Sequence, residues 1–133
     1  MTPLGSDPDQ LRNFTGHVPL FPLPDAVLFP HALLPLTIFE PRYRQMVTDA
    51  LAGDRLIAMA LLEPGWESTY ESKAATIRPT VCIGRIASSK LLPDGRYQIV
   101  LEGLSRGEVL DEDDSSEPYR IARVELCPEM PPG

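Results

Sequence analysis

Apolar positions recur along the chain with two different periods, and the alternation between those periods sets out the expected elements. From His17 the chain reads VPLFPLPDAVLFPHALLPLTIF, in which Val18, Leu20 and Phe21 predict a first strand and residues 33–39 a second. Prolines at 19, 22, 30 and 35 cannot donate to a ladder, so both strands are expected at sheet rims, with bends. Pro41 then suits a first helical position, and Tyr43, Met46, Val47, Ala50 and Leu51 recur at i, i+3, i+4, i+7 and i+8. That stripe predicts a helix burying one face, with Arg44 and Thr48 toward water and Gly53 as a left-handed C-terminal cap.

The rest of the chain has the period of strands. Residues 56–62 (LIAMALL) read as a buried strand and 63–78 as a polar loop. Residues 80–88 alternate, with Val81 and Ile83 on one face and Cys82, Gly84 and Ile86 on the other; Gly84 implies a bulge or a close backbone approach. Leu92-Pro93-Asp94-Gly95 is a hairpin signal, with Gly95 at positive φ. The returning strand, 96–104, alternates Tyr97, Ile99 and Leu101 against Gln98, Val100 and Glu102. Residues 107–110 continue it, an acidic loop follows, and 119–126 form a last strand. The expected fold class is mainly β with one principal helix (α+β). Residues 1–16 are expected to be a mobile tail, 17–127 the folded domain, and 128–133 an extended tail or linker.

Composition narrows the function. A chain of 133 residues buries roughly two-thirds of its extended surface on folding, enough for one core and too little for two. A complete ATP-driven machine is thereby excluded. Of the 15 prolines, those at 3, 8, 19, 22, 24, 30, 35 and 41 crowd the first third, which disfavours long helices. The net charge of −7 belongs mostly to one stretch: Glu108, Asp111, Glu112, Asp113, Asp114 and Glu117 lie together, and a solvated loop is expected there. No basic face of the kind nucleic acid requires is apparent. The polar start MTPLGSDPDQ lacks the apolar core of a secretory signal, and the longest apolar run has seven residues, so a cytoplasmic location away from membranes is expected. Cys82 and Cys127 then read as small hydrophobes rather than a disulfide.

Candidate chemistry is sparse. There is no phosphate-cradling glycine loop and no HExxH. Ser88 and Lys90 share a strand face but sit roughly 7 Å apart, too far for a nucleophile and its base. His17, His31 and the two cysteines have no ligand-like spacing, and the stretch from Asp111 lacks the glycine and final glutamate of a calcium loop. No catalytic residue, metal or cofactor is expected.

Two stretches carry a resemblance. VPLFPLPDAVLFPHALLPLTIFEPRYRQMV and CIGRIASSKLLPDGRYQIVLEGLSR resemble the LON substrate-binding domain, the N-terminal domain of Lon proteases, over about residues 17 to 127. The matching positions include Phe21, Leu28, Phe29, Leu34, Phe39, Glu40, Arg42, Tyr43, Gly84, Asp94, Gly95, Arg96, Tyr97, Gly103 and Arg106. The resemblance implies a PUA-like pseudobarrel of mixed strands and a role in binding unfolded or degron-bearing protein. Family members continue into a helical subdomain, and the full proteases add ATPase and peptidase domains. A sequence ending at CPEMPPG therefore reads as a fragment cut at a boundary or as a stand-alone minimal protein, without protease activity of its own.

Phe21, Leu28, Phe29, Leu34 and Phe39 fall in the proline-broken segment, where an exposed apolar patch beside an unpaired strand edge could hold an unfolded chain. The alternative is that they are barrel core. Glu40 is expected to stabilise the helix N-terminus, Tyr43 to pack on the barrel, and Arg106 to pair with a carboxylate. Gly84, Asp94, Gly95, Arg96, Tyr97 and Gly103 read as structural. An RNA-binding PUA-like module is the competing function, with the charge distribution against it.

Overall fold

The computed structural model describes Leu11 and residues 14–70 and 73–127. Six strands and one helix follow in the order β1 (His17–Leu23), β2 (Leu33–Ile38), α1 (Pro41–Ala52), β3 (Leu56–Leu61), β4 (Thr80–Leu91), β5 (Tyr97–Glu112) and β6 (Ile121–Leu126). The sheet order is β2-β5-β4-β3-β1-β6, and β5 also pairs with β6. Five strands thereby close into a ring and β2 hangs from β5, its other edge unpaired among the described residues. β1 and β3 are parallel and the other pairs antiparallel, so this is the mixed-strand pseudobarrel with one helix.

β2 is the rim strand the prolines imply; β1 is not. β1 pairs with β6 through His17, Val18 and Pro19 and with β3 through residues 20–23. Leu20 N–H donates to the Arg120 carbonyl, so even-numbered positions turn their backbone groups toward β6 and odd-numbered ones toward β3. Pro19 thus faces β3 before that pairing begins, and Pro22 faces β6 after that pairing has ended. Neither missing donor is needed.

The two faces of the strands bury two clusters. One joins Phe21, Ile57, Met59, Cys82, Ile86, Ile99 and Leu101 to Tyr43, Met46, Val47 and Ala50 of α1. The other is built from Val18, Leu20, Leu56, Ala58, Ala60, Val81, Ile83, Ala122 and Val124, with Leu11 and Phe14 packed against it. Of the expected 1–16 tail, residues 1–10, 12 and 13 lie outside the described residues, as does the 128–133 tail; the end of the first tail is held to the barrel, where the Gly16 carbonyl accepts from Val124 N–H at 2.7 Å.

The α1 stripe is buried as its period predicts, with Leu51 half-buried. On its opposite face Thr48 is exposed as expected, its hydroxyl 3.0 Å from that of Tyr97, whereas Arg44 departs from expectation: it is half-buried and lies against Gly95. The hairpin at 92–96 therefore docks on α1. Gly95 has φ 92°, as the turn requires, whereas Gly53 has φ −116° and is not a left-handed cap; Arg55, at φ 66°, makes that turn.

The acidic stretch is not one solvated loop. β5 runs on to Glu112, Asp111 accepts from Arg123, and Glu112 takes both Arg120 Nε and Nη2, at 2.7 and 2.6 Å. Arg120 is buried and also donates to the Ala75 carbonyl at 2.7 Å, tying the 63–79 segment to the barrel. Both cysteines are free thiols.

Candidate functional site

Two glycines set the geometry of the proline-broken segment. Gly84 and Gly103 are direct partners across β4 and β5, beside a register shift that marks the expected bulge. Without side chains they leave a flat place on the sheet, and residues 28–30 lie on it. A Cβ on Gly84 would stand 2.8 Å from Leu28 Cδ2; one on Gly103 would overlap the Phe29 carbonyl oxygen and stand 3.2 Å from Pro30 Cα. His31 N–H donates to the Gly103 carbonyl at 2.8 Å, and Gly103 N–H to the Ala32 carbonyl at 2.9 Å.

This docking sorts the apolar residues of the segment. Leu28 turns inward and Phe21 lies in the core beneath, at 4% and 5% exposed, so neither is part of an exposed apolar patch. Leu34 is half-buried. Phe29 and Phe39 stand in solvent at 55% and 64%, joined by Val27 at 52% and Leu33 at 65%. Val27 and Leu33 were not legible from composition. Leu33 follows from the alternation of β2, in which Leu34, Leu36 and Ile38 turn inward and Leu33, Pro35 and Thr37 outward.

The outward face of β2 continues across β5 and β4 as an open cleft of about 470 Å³, floored by Pro35, Thr37, Gln98 and Val100 and walled by Ser88 and Lys90. The bond from Gly103 N–H to Ala32 O makes that pair a hydrogen-bonded one, so Leu34, Leu36 and Ile38 bond to β5 and Leu33, Pro35 and Thr37 turn their backbone groups to the open edge. Pro35 again puts its missing donor on the unpaired side. The edge retains N–H groups at Leu33 and Thr37 and carbonyls at all three positions.

The remaining motif residues hold the frame. Glu40 occupies the N-cap position of α1 without a side-chain cap bond. Its carboxylate instead accepts from the Tyr70 hydroxyl at 2.7 Å and from Arg42 Nη2 at 3.5 Å. The Arg42 guanidinium lies between the Tyr43 and Tyr70 rings, 4.7 and 4.6 Å from their centroids, and Tyr43 packs on Phe21 at 4.7 Å. Burial raises the Tyr43 phenol well above its ordinary range; burial and then the Glu40 carboxylate raise that of Tyr70. Both stay neutral, and the Tyr70 hydroxyl keeps the proton it donates to Glu40. Asp94 accepts from Arg96 N–H at 3.1 Å and from its Nε at 2.7 Å, closing the hairpin tip. Arg106 departs from expectation: no carboxylate among the described residues pairs with it, and its guanidinium lies 6.0 Å from the Phe29 ring centroid. Among the described residues no cluster of His, Cys, Asp and Glu could hold a metal ion. No helix among them is long and apolar enough to cross a membrane.

This ring of strands with one helix is that of a known class of domain. Residues 17–132 match the family model of the ATP-dependent protease La (LON) substrate-binding domain, and the chain belongs to that family. The Lon protease of Geobacter metallireducens is 33% identical over 110 residues, covering 80% of this chain and 13% of that protein. That of Dictyoglomus thermophilum is 30% identical over 121 residues, covering 91% and 15%. The chain therefore spans a small part of the length of these relatives. Among solved structures, a Lon N-terminal domain protein from Xanthomonas campestris superposes with a TM-score of 0.67 at 25% identity, covering 84% of this chain and 60% of that one. The N-terminal domain of Lon protease from the Mycobacterium avium complex has the same fold, at TM-score 0.67 and 15% identity.

Proposed function

We propose that this chain is a non-catalytic LON-type module of the cytoplasm that binds unfolded or degron-bearing polypeptide. The observation that carries the reading is the open edge of β2 with Leu33 and Phe39 exposed at its two ends. An extended chain adds to such an edge through its backbone, and apolar side chains beside the edge take the alternate side chains of the guest. Phe29 extends the same apolar surface past the start of β2. Of the five residues singled out in the sequence, Phe29 and Phe39 make the surface, Leu34 supports it from below, and Phe21 and Leu28 anchor it.

A fluorescence titration with a permanently unfolded protein, at low and high salt, tests this. Binding persists in high salt, because apolar contact and backbone pairing carry it and surface charge is screened within ~3 Å at 1 M. Leu33→Ser with Phe39→Ser weakens it roughly tenfold or more while leaving the fold intact, as both side chains stand in solvent. Absence of binding by folded protein at either salt refutes the reading. Binding that vanishes with salt replaces the apolar mechanism with an electrostatic one and reopens the case for RNA.

A further inference from the structure

β3 and β4 pair from Leu56 to Met59 and then separate, and the 26–29 loop roofs the gap. Beneath the loop is a small cavity of about 130 Å³. Its walls are apolar, from Leu28, Met59, Leu61 and Val81, with Cys82 also lining it. Burial pushes the Cys82 thiol up to about 11, against the pull of the nearby Arg106 guanidinium, so the wall it forms is neutral. The volume is close to that of dry protein cavities that accept a benzene ring, so it suits one aliphatic side chain.

Two arginines, Arg78 and Arg106, also line this cavity. Among the described residues neither side chain has a hydrogen bond or ion pair, and Arg106 touches only the Phe29 ring; Arg44 and Arg55 likewise hold no acid, whereas Arg42, Arg85, Arg96, Arg120 and Arg123 each hold a carboxylate, in a sequence where acids outnumber bases 19 to 12. Glu108, two residues beyond Arg106 on the same strand face, is engaged by the Thr80 hydroxyl at 2.6 Å. A one-side-chain apolar cavity flanked by two free guanidinium groups calls for a ligand with an apolar group and an anion close together.

We propose that this cavity binds the C-terminal residue of a polypeptide, with an aliphatic last side chain inside and the terminal carboxylate on Arg78 and Arg106. Only the last residue of a chain carries both groups on one carbon. An internal aspartate or glutamate brings the anion without the apolar group, and an internal leucine the reverse. A free amino acid adds an ammonium that the two arginines repel. Guanidinium forks match a carboxylate in plane and spacing. Exposed Val27 and Phe29 at the cavity rim lead the preceding residues toward the start of β2. The inference rests on the polypeptide-binding reading above and gives it a direction: the chain end is held first, and the segment before it lies along the open edge.

The test is an NMR titration of the 133-residue chain with N-acetyl-Gly-Ser-Gly-Leu, as free acid and as C-terminal amide. The free acid is expected to shift the amide signals of Ala60, Val81 and Cys82, and amidation to weaken binding about tenfold or more. Arg78→Gln, at an exposed residue whose loss leaves the core intact, and Arg106→Gln should each weaken the free acid and narrow its advantage over the amide. Free leucine should not compete. Equal affinity for acid and amide, or shifts confined to β2, overturns the assignment while an unfolded protein that still binds preserves the broader reading. If neither peptide nor unfolded protein binds, both fall together.

Discussion

β1 and β2 come from the same proline-dense stretch and carry similar apolar sequences, yet β1 lies inside a closed ring and β2 ends the sheet with one edge bare. Their prolines obey one rule. Pro19, Pro22 and Pro35 each turn the missing donor to a side where the strand has no partner at that residue. In β1 those unpaired places are brief, because β6 lets go where β3 takes hold. In β2 they extend along the whole edge. A proline therefore marks which side of the backbone is unpaired at one position, and says nothing about whether the strand is central. The functional consequence is that β1 spends its apolar residues on the core and β2 keeps some at the surface.

The largest expected effect separates the two strands by burial. Leu20→Ala in β1 removes a fully buried side chain and should cost roughly 2–5 kcal/mol in denaturant unfolding, whereas Leu33→Ala in β2 should stay within ~0.5 kcal/mol. Comparable costs would mean that Leu33 is covered. A proline scan of β2 sharpens the edge argument. Leu36→Pro removes a ladder donor and strands a carbonyl on β5, for about 2–4 kcal/mol. Thr37→Pro, one residue on, removes only a donor facing the open edge and should cost far less while weakening capture of an unfolded chain. The reverse order would show the pairing phase to be shifted by one.

Gly103 tests what holds the loop in front of β2. Gly103→Ala should cost about 1–3 kcal/mol, because the methyl group displaces backbone at Phe29 and Pro30 rather than a flexible side-chain end. Hydrogen exchange at the His31 amide should speed up in the variant, since its bond to the Gly103 carbonyl is lost. The smallest effect is on pH. The backbone N–H of Arg96 holds the Asp94 carboxyl below its ordinary 3.8, and the Arg123 side chain does the same for Asp111. Folded values below unfolded ones give stability that is complete above pH 3.8 and is lost as pH falls through the lower folded values. Both groups are exposed, so an acid titration of Asp94→Asn should differ from the parent only slightly, and only below that pH.

Much of the fold was legible along the chain. The helix at Pro41, the strand periods, the turn at Gly95 and the bulge at Gly84 are local consequences of side-chain size, backbone freedom and spacing, so the sequence determined them by itself. The ordered motif residues likewise led to the family. Tertiary structure decided which strands became neighbours, because hydrogen-bond partners far apart in sequence leave no local trace. It decided that Leu28 would be buried while Phe29 stayed out, since the seat of that loop is a glycine pair some 55 to 75 residues further along the chain. It also turned the acidic stretch into paired strand, because Arg120 and Arg123 arrive from β6 and its approach. The cavity has the same origin: Arg78 and Arg106 come to line one space only because β3 and β4 part and the loop closes over the gap.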